Sequence, residues 1–353
     1  MMLGIIPESS YHQLLSHGPW LLWTLALVAL VILGAAADRA VWAAVRLAAE
    51  LGVSRIAIGA TVVSLGTTAP EVSVSVIAAM KGQGGLALGN AIGSVICNTA
   101  LIFGLGCVMA PFVFDRAGLR RQSSVHMGVM VLLVGIVLIL AIVAGSVRDL
   151  RLSRGIGVLF MALLGIYMYL SIRWARKGLA EVETPELPDI ADLRAHKIRQ
   201  TVASFLVLAA GLAVVVVSSD ALVGSVVTLS RHYGMPEEVL ALTLVAFGTS
   251  VPELATAIAS LRRGHGELMI GNILGANTLC ILWVTGASAA VEPLGVPTTF
   301  FFLHLPVMVL VTGLLTAFIF LGGNHFRRWQ GGLLLTVYTG YIAVLTLHAA
   351  GSQ

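Results

Sequence analysis

The segment GTTAPE at Gly66 to Glu71 returns as GTSVPE at Gly248 to Glu253, 182 residues later. At the same offset, without a gap, Asp38 pairs with Asp220, Thr61 with Thr243, Gly82 with Gly264, Gly89-Asn90 with Gly271-Asn272 and Gly93 with Gly275. A repeat of this length constrains the fold more than any local pattern, because whatever the first half builds the second must build again.

Both copies lie in apolar surroundings. With 58% hydrophobic and 11% charged residues and a mean hydropathy of +0.96, the chain is excluded from ordinary soluble domains and reads as an integral membrane protein. Uncharged runs such as Gln122 to Val147 and Pro293 to Phe326 are long enough to cross a bilayer as helices. No Lys or Arg precedes Arg39, so the basic region of a signal peptide is missing and Trp20 to Ala37 reads as a retained span. Charged clusters and turn residues divide the chain into ten spans, beginning near residues 19, 55, 85, 123, 154, 200, 236, 267, 298 and 328.

The fold class this predicts is all-α and polytopic, with ten transmembrane helices in two five-helix repeats. Residues 1–176 form the first repeat and 200–353 the second. Residues 177–199, which include EVETPELPD, read as a cytoplasmic linker. Five spans is an odd number, so the second repeat enters the membrane from the opposite side and the repeats are inverted. Placing both termini outside leaves 16 of the 21 Lys and Arg residues on the cytoplasmic side. Basic residues at span ends serve topology, so no nucleic-acid partner is implied. Cys97, Cys107 and Cys280 are widely spaced in apolar segments and give neither a disulfide framework nor a metal motif.

Glu71 and Glu253 are the residues such a chain can least afford without a purpose, since an ionisable group in mid-span faces a cavity, a partner or an ion path. Pro70 has no N–H for the carbonyl of Gly66, and Pro252 none for Gly248, so each helix is expected to break just before its carboxylate. Freed carbonyls, the hydroxyls of Thr67, Thr68, Thr249 and Ser250, and the two carboxylates make an all-oxygen set suited to Na+ and Ca2+. Ser94 and Asn98, one helical turn apart, can reach the same gap. Gly89/Gly93 and Gly271/Gly275 have the spacing that lets their helices pack closely on the broken ones.

On these motifs, GTTAPE with GNAIGSVICN and LVAFGTSVPE with GNILGAN, the chain resembles the sodium/calcium exchanger family in its compact prokaryotic form. The resemblance implies alternating-access exchange of several Na+ for one Ca2+, with both ions as cargo and no cofactor. It implies a central Ca2+ site of Glu71 and Glu253 with backbone oxygens of Thr67 and Thr249. Ser64, Thr67, Thr68, Glu71 and Ser94 then form a cation site on the cytoplasmic side, Ala246, Thr249, Ser250 and Glu253 its external counterpart, and Asn98 completes the middle layer. The sequence departs from the family at Ala276, where Ser is usual, and at Cys280, where Asp or Asn is usual. Each loses an oxygen, which opens the alternative of a proton-coupled Ca2+ or other divalent cation antiporter. A cation channel is the remaining alternative.

An enzyme is not indicated, since no HExxH or GxSxG motif occurs. No protein partner is implied beyond the bilayer. His126 and His304 read as packing or interfacial residues, and Trp20, Trp23, Trp174 and Trp329 as headgroup anchors. Tyr167, Tyr169, Tyr338 and Tyr341 read as anchors or bundle packing. Asp38 and Asp220 read as members of a structural pair or of a gate.

Overall fold

A computed structural model describes residues 6–51, 53–147, 150–177, 191–233 and 246–351. A short helix α1 (Glu8–Ser16) precedes the first span α2 (Pro19–Leu51). The second span is broken into α3 (Arg55–Thr67) and α4 (Ala69–Met80), bent by 44°. The first repeat continues with α5 (Gly84–Met109), α6 (Arg116–Ala144) and α7 (Arg154–Lys177). The second repeat holds α8 (Ala191–His232), the broken pair α9 (Ala246–Thr249) and α10 (Val251–Arg262), α11 (Gly266–Val291), α12 (Phe300–Leu321) and α13 (Arg328–Gly351). A small antiparallel ladder of β1 (Arg151–Leu152) and β2 (Leu294–Gly295) joins the loops before α7 and α12.

Two expected boundaries move. α6 starts at Arg116 rather than near 123, because the Asp115 carboxylate caps it, accepting from the backbone N–H of Ala117 at 3.1 Å and Gly118 at 3.0 Å. Residues 191–199, expected in the linker, are helical and continuous with the sixth span: no Gly or Pro interrupts the chain between Ala191 and Ala210. The EVETPELPD stretch and the expected span start near 236 lie outside the described residues. α1 is an element the sequence reading did not contain.

The repeat is visible in backbone detail. Gly82 and Gly264, equivalent by the offset, end α4 and α10 at φ +75° and +72°. The residue after each donates back to the helix, Gln83 to the Ala78 carbonyl at 2.9 Å and His265 to the Ser260 carbonyl at 2.8 Å. Both turns are the same left-handed glycine C-cap, a conformation a side chain would strain.

Small residues set the closest packing. α2 meets α8 along a buried stripe including Ala36, Ala37, Ala40, Ala43 and Ala44, with Gly211 against Ala40. α11 lies on α3 backbone to backbone: a Cβ on Gly275 would stand 2.6 Å from the Ala60 Cα, and one on Gly59 would stand 2.6 Å from the Leu268 carbonyl oxygen. Gly271 and Gly275 thus do what their spacing predicted, whereas Gly89 has open space beside it. Large apolar side chains such as Val31, Ile139, Ile142 and Val143 cover the outside, as lipid contact requires. Trp20, Trp23 and Trp329 are exposed at helix starts, as anchors should be. His126, Tyr167 and Tyr341 are buried within the bundle.

Candidate functional site

The two breaks occur at equivalent residues. Thr68 has φ −81° and ψ −7°, and Ser250 φ −89° and ψ 5°, the bridge conformation in which a helix stops without reversing. Pro70 and Pro252 then open α4 and α10, where a missing N–H costs nothing. This geometry puts Glu71 and Glu253 in the first turns of the new helices, where unpaired N–H groups favour negative charge.

Both carboxylates are fully buried, and they lie close enough to interact electrostatically. Thr67 and Thr68 of the first repeat face the Glu253 carboxylate without closing a hydrogen bond of good geometry. Among the described residues, the four carboxylate oxygens have no hydrogen-bond partner, nor do the buried hydroxyls of Thr68, Ser94 and Ser250 or the amide of Asn98. Eight oxygens, four of them in the two carboxylates, are thereby left without a hydrogen-bond donor among the described residues. A buried polar atom left unpaired costs about 1–3 kcal/mol, so such a concentration is a site for something that brings positive charge.

The remaining expected residues fall around this cluster. Ser64 is buried one turn before the first break, with its hydroxyl donating to the Thr61 carbonyl at 3.1 Å. Thr249 is half-buried as the last residue of α9, and Ala246 begins that helix. Ala276 and Cys280 are buried, and Cys280 lies within reach of the fields of both carboxylates. No group of three His, Cys, Asp or Glu side chains forms among the described residues, so any cation here leans on hydroxyl, amide and carbonyl oxygen as well as the two acids.

Surrounding elements hold this geometry open. α3 contains a π-turn at Gly59–Val63, and the Ala60 carbonyl within it accepts from the Tyr167 hydroxyl at 3.1 Å. Gln122 in turn donates to Tyr167. Further π-turns at Cys97–Ile102 and Cys280–Thr285 begin next to Asn98 and at Cys280, where local unwinding re-aims side chains.

Sequence reasoning missed Asn90 and Asn272. Asn90 in α5 donates to the Ser75 hydroxyl at 2.9 Å and accepts from the Thr249 hydroxyl at 3.1 Å. Its equivalent Asn272 in α11 donates to Thr256 at 3.2 Å, and the Thr67 hydroxyl reaches it at 3.5 Å. The signal was present: Asn90, Ser94 and Asn98 recur every fourth residue on one helical face. Asn277 was also missed; it crosses to Thr99 at 2.7 Å.

Asp38 and Asp220 both have partners within the fold. Asp38 on α2 makes a two-pronged ion pair with Arg263, beyond the end of α10. Asp220 on α8 accepts from the backbone N–H of Ile6 at 2.9 Å, fastening the chain just before α1.

Comparison with known proteins agrees with this architecture. The family model described as sodium/calcium exchanger protein matches residues 21–173 and 203–347, the two repeats. Inner membrane protein YrbG of Escherichia coli is 32% identical over 91% of this chain and 95% of its own. Sodium/calcium exchanger MaX1 of Methanosarcina acetivorans is 27% identical over 90% of this chain and 97% of its own. Among solved structures, the sodium-calcium exchanger NCX_Mj soaked with 10 mM Na+ and zero Ca2+ superposes with a TM-score of 0.76 at 28% identity, covering 92% of this chain and 99% of that one.

Proposed function

The chain belongs to the sodium/calcium exchanger family, a family of membrane cation antiporters rather than enzymes, and on that footing we propose that it exchanges Na+ for Ca2+ by alternating access. The observation that carries this reading is the juxtaposition of Glu71 and Glu253, one from each inverted repeat, among oxygens that no described protein group satisfies. Glu71 and Glu253, with backbone oxygens of Thr67 and Thr249, hold Ca2+. Ser64, Thr67, Thr68, Glu71 and Ser94 serve a monovalent cation on the cytoplasmic side, and Ala246, Thr249, Ser250 and Glu253 one on the outer side. Asn98 supplies the middle layer.

Exchange follows from electrostatics. Two carboxylates side by side repel, and in a low dielectric that repulsion is far stronger than in water. One divalent or two monovalent cations relieve it, so a loaded carrier can close over its cargo and open to the other side, while an empty one resists. The inverted repeats supply two equivalent shapes, one open to each face. Both termini lie outside the cell and residues 177–199 lie in the cytoplasm.

A proton-coupled mechanism is the second reading, and it has a specific basis: Ala276 and Cys280 bring no oxygen to the buried cluster. Measurement of radiolabelled Ca2+ uptake into proteoliposomes separates the two. Uptake driven by an imposed Na+ gradient supports Na+ coupling, and uptake driven only by a pH gradient refutes it. Ala276→Ser with Cys280→Asp should strengthen the Na+ response; no change would show that neither position faces the cations. A steady Ca2+ current without any counter-ion would mark a channel.

A further inference from the structure

Threonines inside helices usually return their hydroxyls to the carbonyl one turn back, as Thr61, Thr228 and Thr278 do here at 2.7–2.8 Å. The hydroxyls of Thr67 and Thr249, the last residues before the two breaks, also reach across the repeat boundary, to Asn272 at 3.5 Å and to Asn90 at 3.1 Å, Thr67 keeping a 3.4 Å contact with the Ser64 carbonyl as well. Each asparagine is also anchored in its own repeat: Asn90 to Ser75 and to the Glu71 carbonyl, at 2.9 and 3.4 Å, and Asn272 to Thr256 at 3.2 Å. Asn90 therefore ties α4 to α9, and Asn272 ties α10 to α3. The two ties are related by the same 182-residue offset as the carboxylates.

We infer that Asn90 and Asn272 are positioning residues for cation binding: each amide straps the second half of its own broken helix to the first half of the other's, fixing the span across which Glu71 and Glu253 share a cation. This inference rests on the transport reading above and names how its site is held. An amide is suited to the task because it donates and accepts at once, while remaining neutral. Aspartate would lose the donor and add a third buried charge beside two others. Alanine would release both ends. The asparagines are nearly buried yet their amides are occupied by protein partners, which separates them from Asn98, whose amide has none among the described residues.

The test is a double-mutant cycle on Ca2+ uptake in proteoliposomes with Asn90→Ala, Thr249→Val and the pair, and a second cycle with Asn272→Ala and Thr67→Val. Valine keeps the backbone carbonyl and removes only the hydroxyl. Because every single variant breaks the same bond between amide and threonine, each should raise the KM for Ca2+ about tenfold with the maximal rate within a few-fold, and the pair should add little. Thr249→Ser and Thr67→Ser, which restore the hydroxyl, should recover most of the affinity that the valine variants lose. Additive effects in both cycles, an unchanged KM in both valine variants, or serine variants as impaired as valine would overturn the inference. Should an alanine variant fail to fold, the valine and serine comparison decides by itself. Wild-type vesicles that take up no Ca2+ under either gradient would remove the transport reading and the strap's purpose together; active wild type with additive variants removes the strap alone.

Discussion

Gly275→Ala offers the sharpest connection between packing and transport. An added Cβ would lie 2.6 Å from both the Cα and the carbonyl oxygen of Ala60, and 2.8 Å from its carbonyl carbon. Ordinary contact begins at 3.4 Å, and the obstacle is backbone rather than a side chain that can turn away. α11 must therefore back off from α3 by about 0.8 Å. Overpacking of this kind costs about 1–3 kcal/mol, of which alanine's better helix propensity returns about 1 kcal/mol. The net loss of stability is thus modest, and the protein should still fold. Binding is less forgiving, because Ca2+ accepts oxygen ligands only within about 2.3–2.6 Å, a window narrower than the displacement. Asn272 sits three residues before Gly275 on the same helix, so the shift also stretches its contact with Thr67, already at 3.5 Å. The KM for Ca2+ uptake should rise at least tenfold, roughly 1.4 kcal/mol or more, with a smaller fall in maximal rate. Gly340→Ala, where a Cβ meets nothing within 4 Å, is the control and should transport normally. A wild-type KM in Gly275→Ala would refute the reasoning, as would an equal rise in the control.

Glu71→Gln and Glu253→Gln should each abolish uptake yet raise the unfolding temperature of the cation-free protein, since each removes a buried charge with no hydrogen-bonded partner among the described residues; a lower unfolding temperature would contradict that burial. His265, in the turn between α10 and α11, is held below its ordinary pKa by burial and by Arg55 and Arg263. Its ring therefore protonates more readily in the unfolded chain, so the stability it contributes is present above about pH 6.5 and lost as the pH falls below it. His265→Gln should flatten this part of the acid limb in thermal unfolding, and an identical slope would show that the ring does not contribute. The Asp38 and Arg263 side chains are 48% and 30% exposed, so a double-mutant cycle with Asp38→Asn and Arg263→Gln should give a coupling of about 1 kcal/mol or less; coupling above about 2 kcal/mol would mean a pair far better shielded than this.

The membrane class, the repeat and the broken helices were legible because hydropathy, a fixed offset and proline act locally and leave plain marks. Glu71 and Glu253 were legible for the same reason: a carboxylate among apolar residues is conspicuous. What stayed hidden depends on partners brought from afar. Asn90 and Asn272 looked like ordinary polar residues of a repeated motif, because their purpose lies in threonines more than 150 residues away. The π-turns left no mark at all, since a widened turn is imposed by packing and by donors such as Tyr167 on another helix.

The ion pair of Asp38 with Arg263 clasps α2 to the turn after α10. With both side chains partly hydrated, the clasp is worth about 1 kcal/mol, roughly a five-fold weight on any shape that makes it. A heavier clasp would lock that shape in place; this one is a latch that thermal motion can lift.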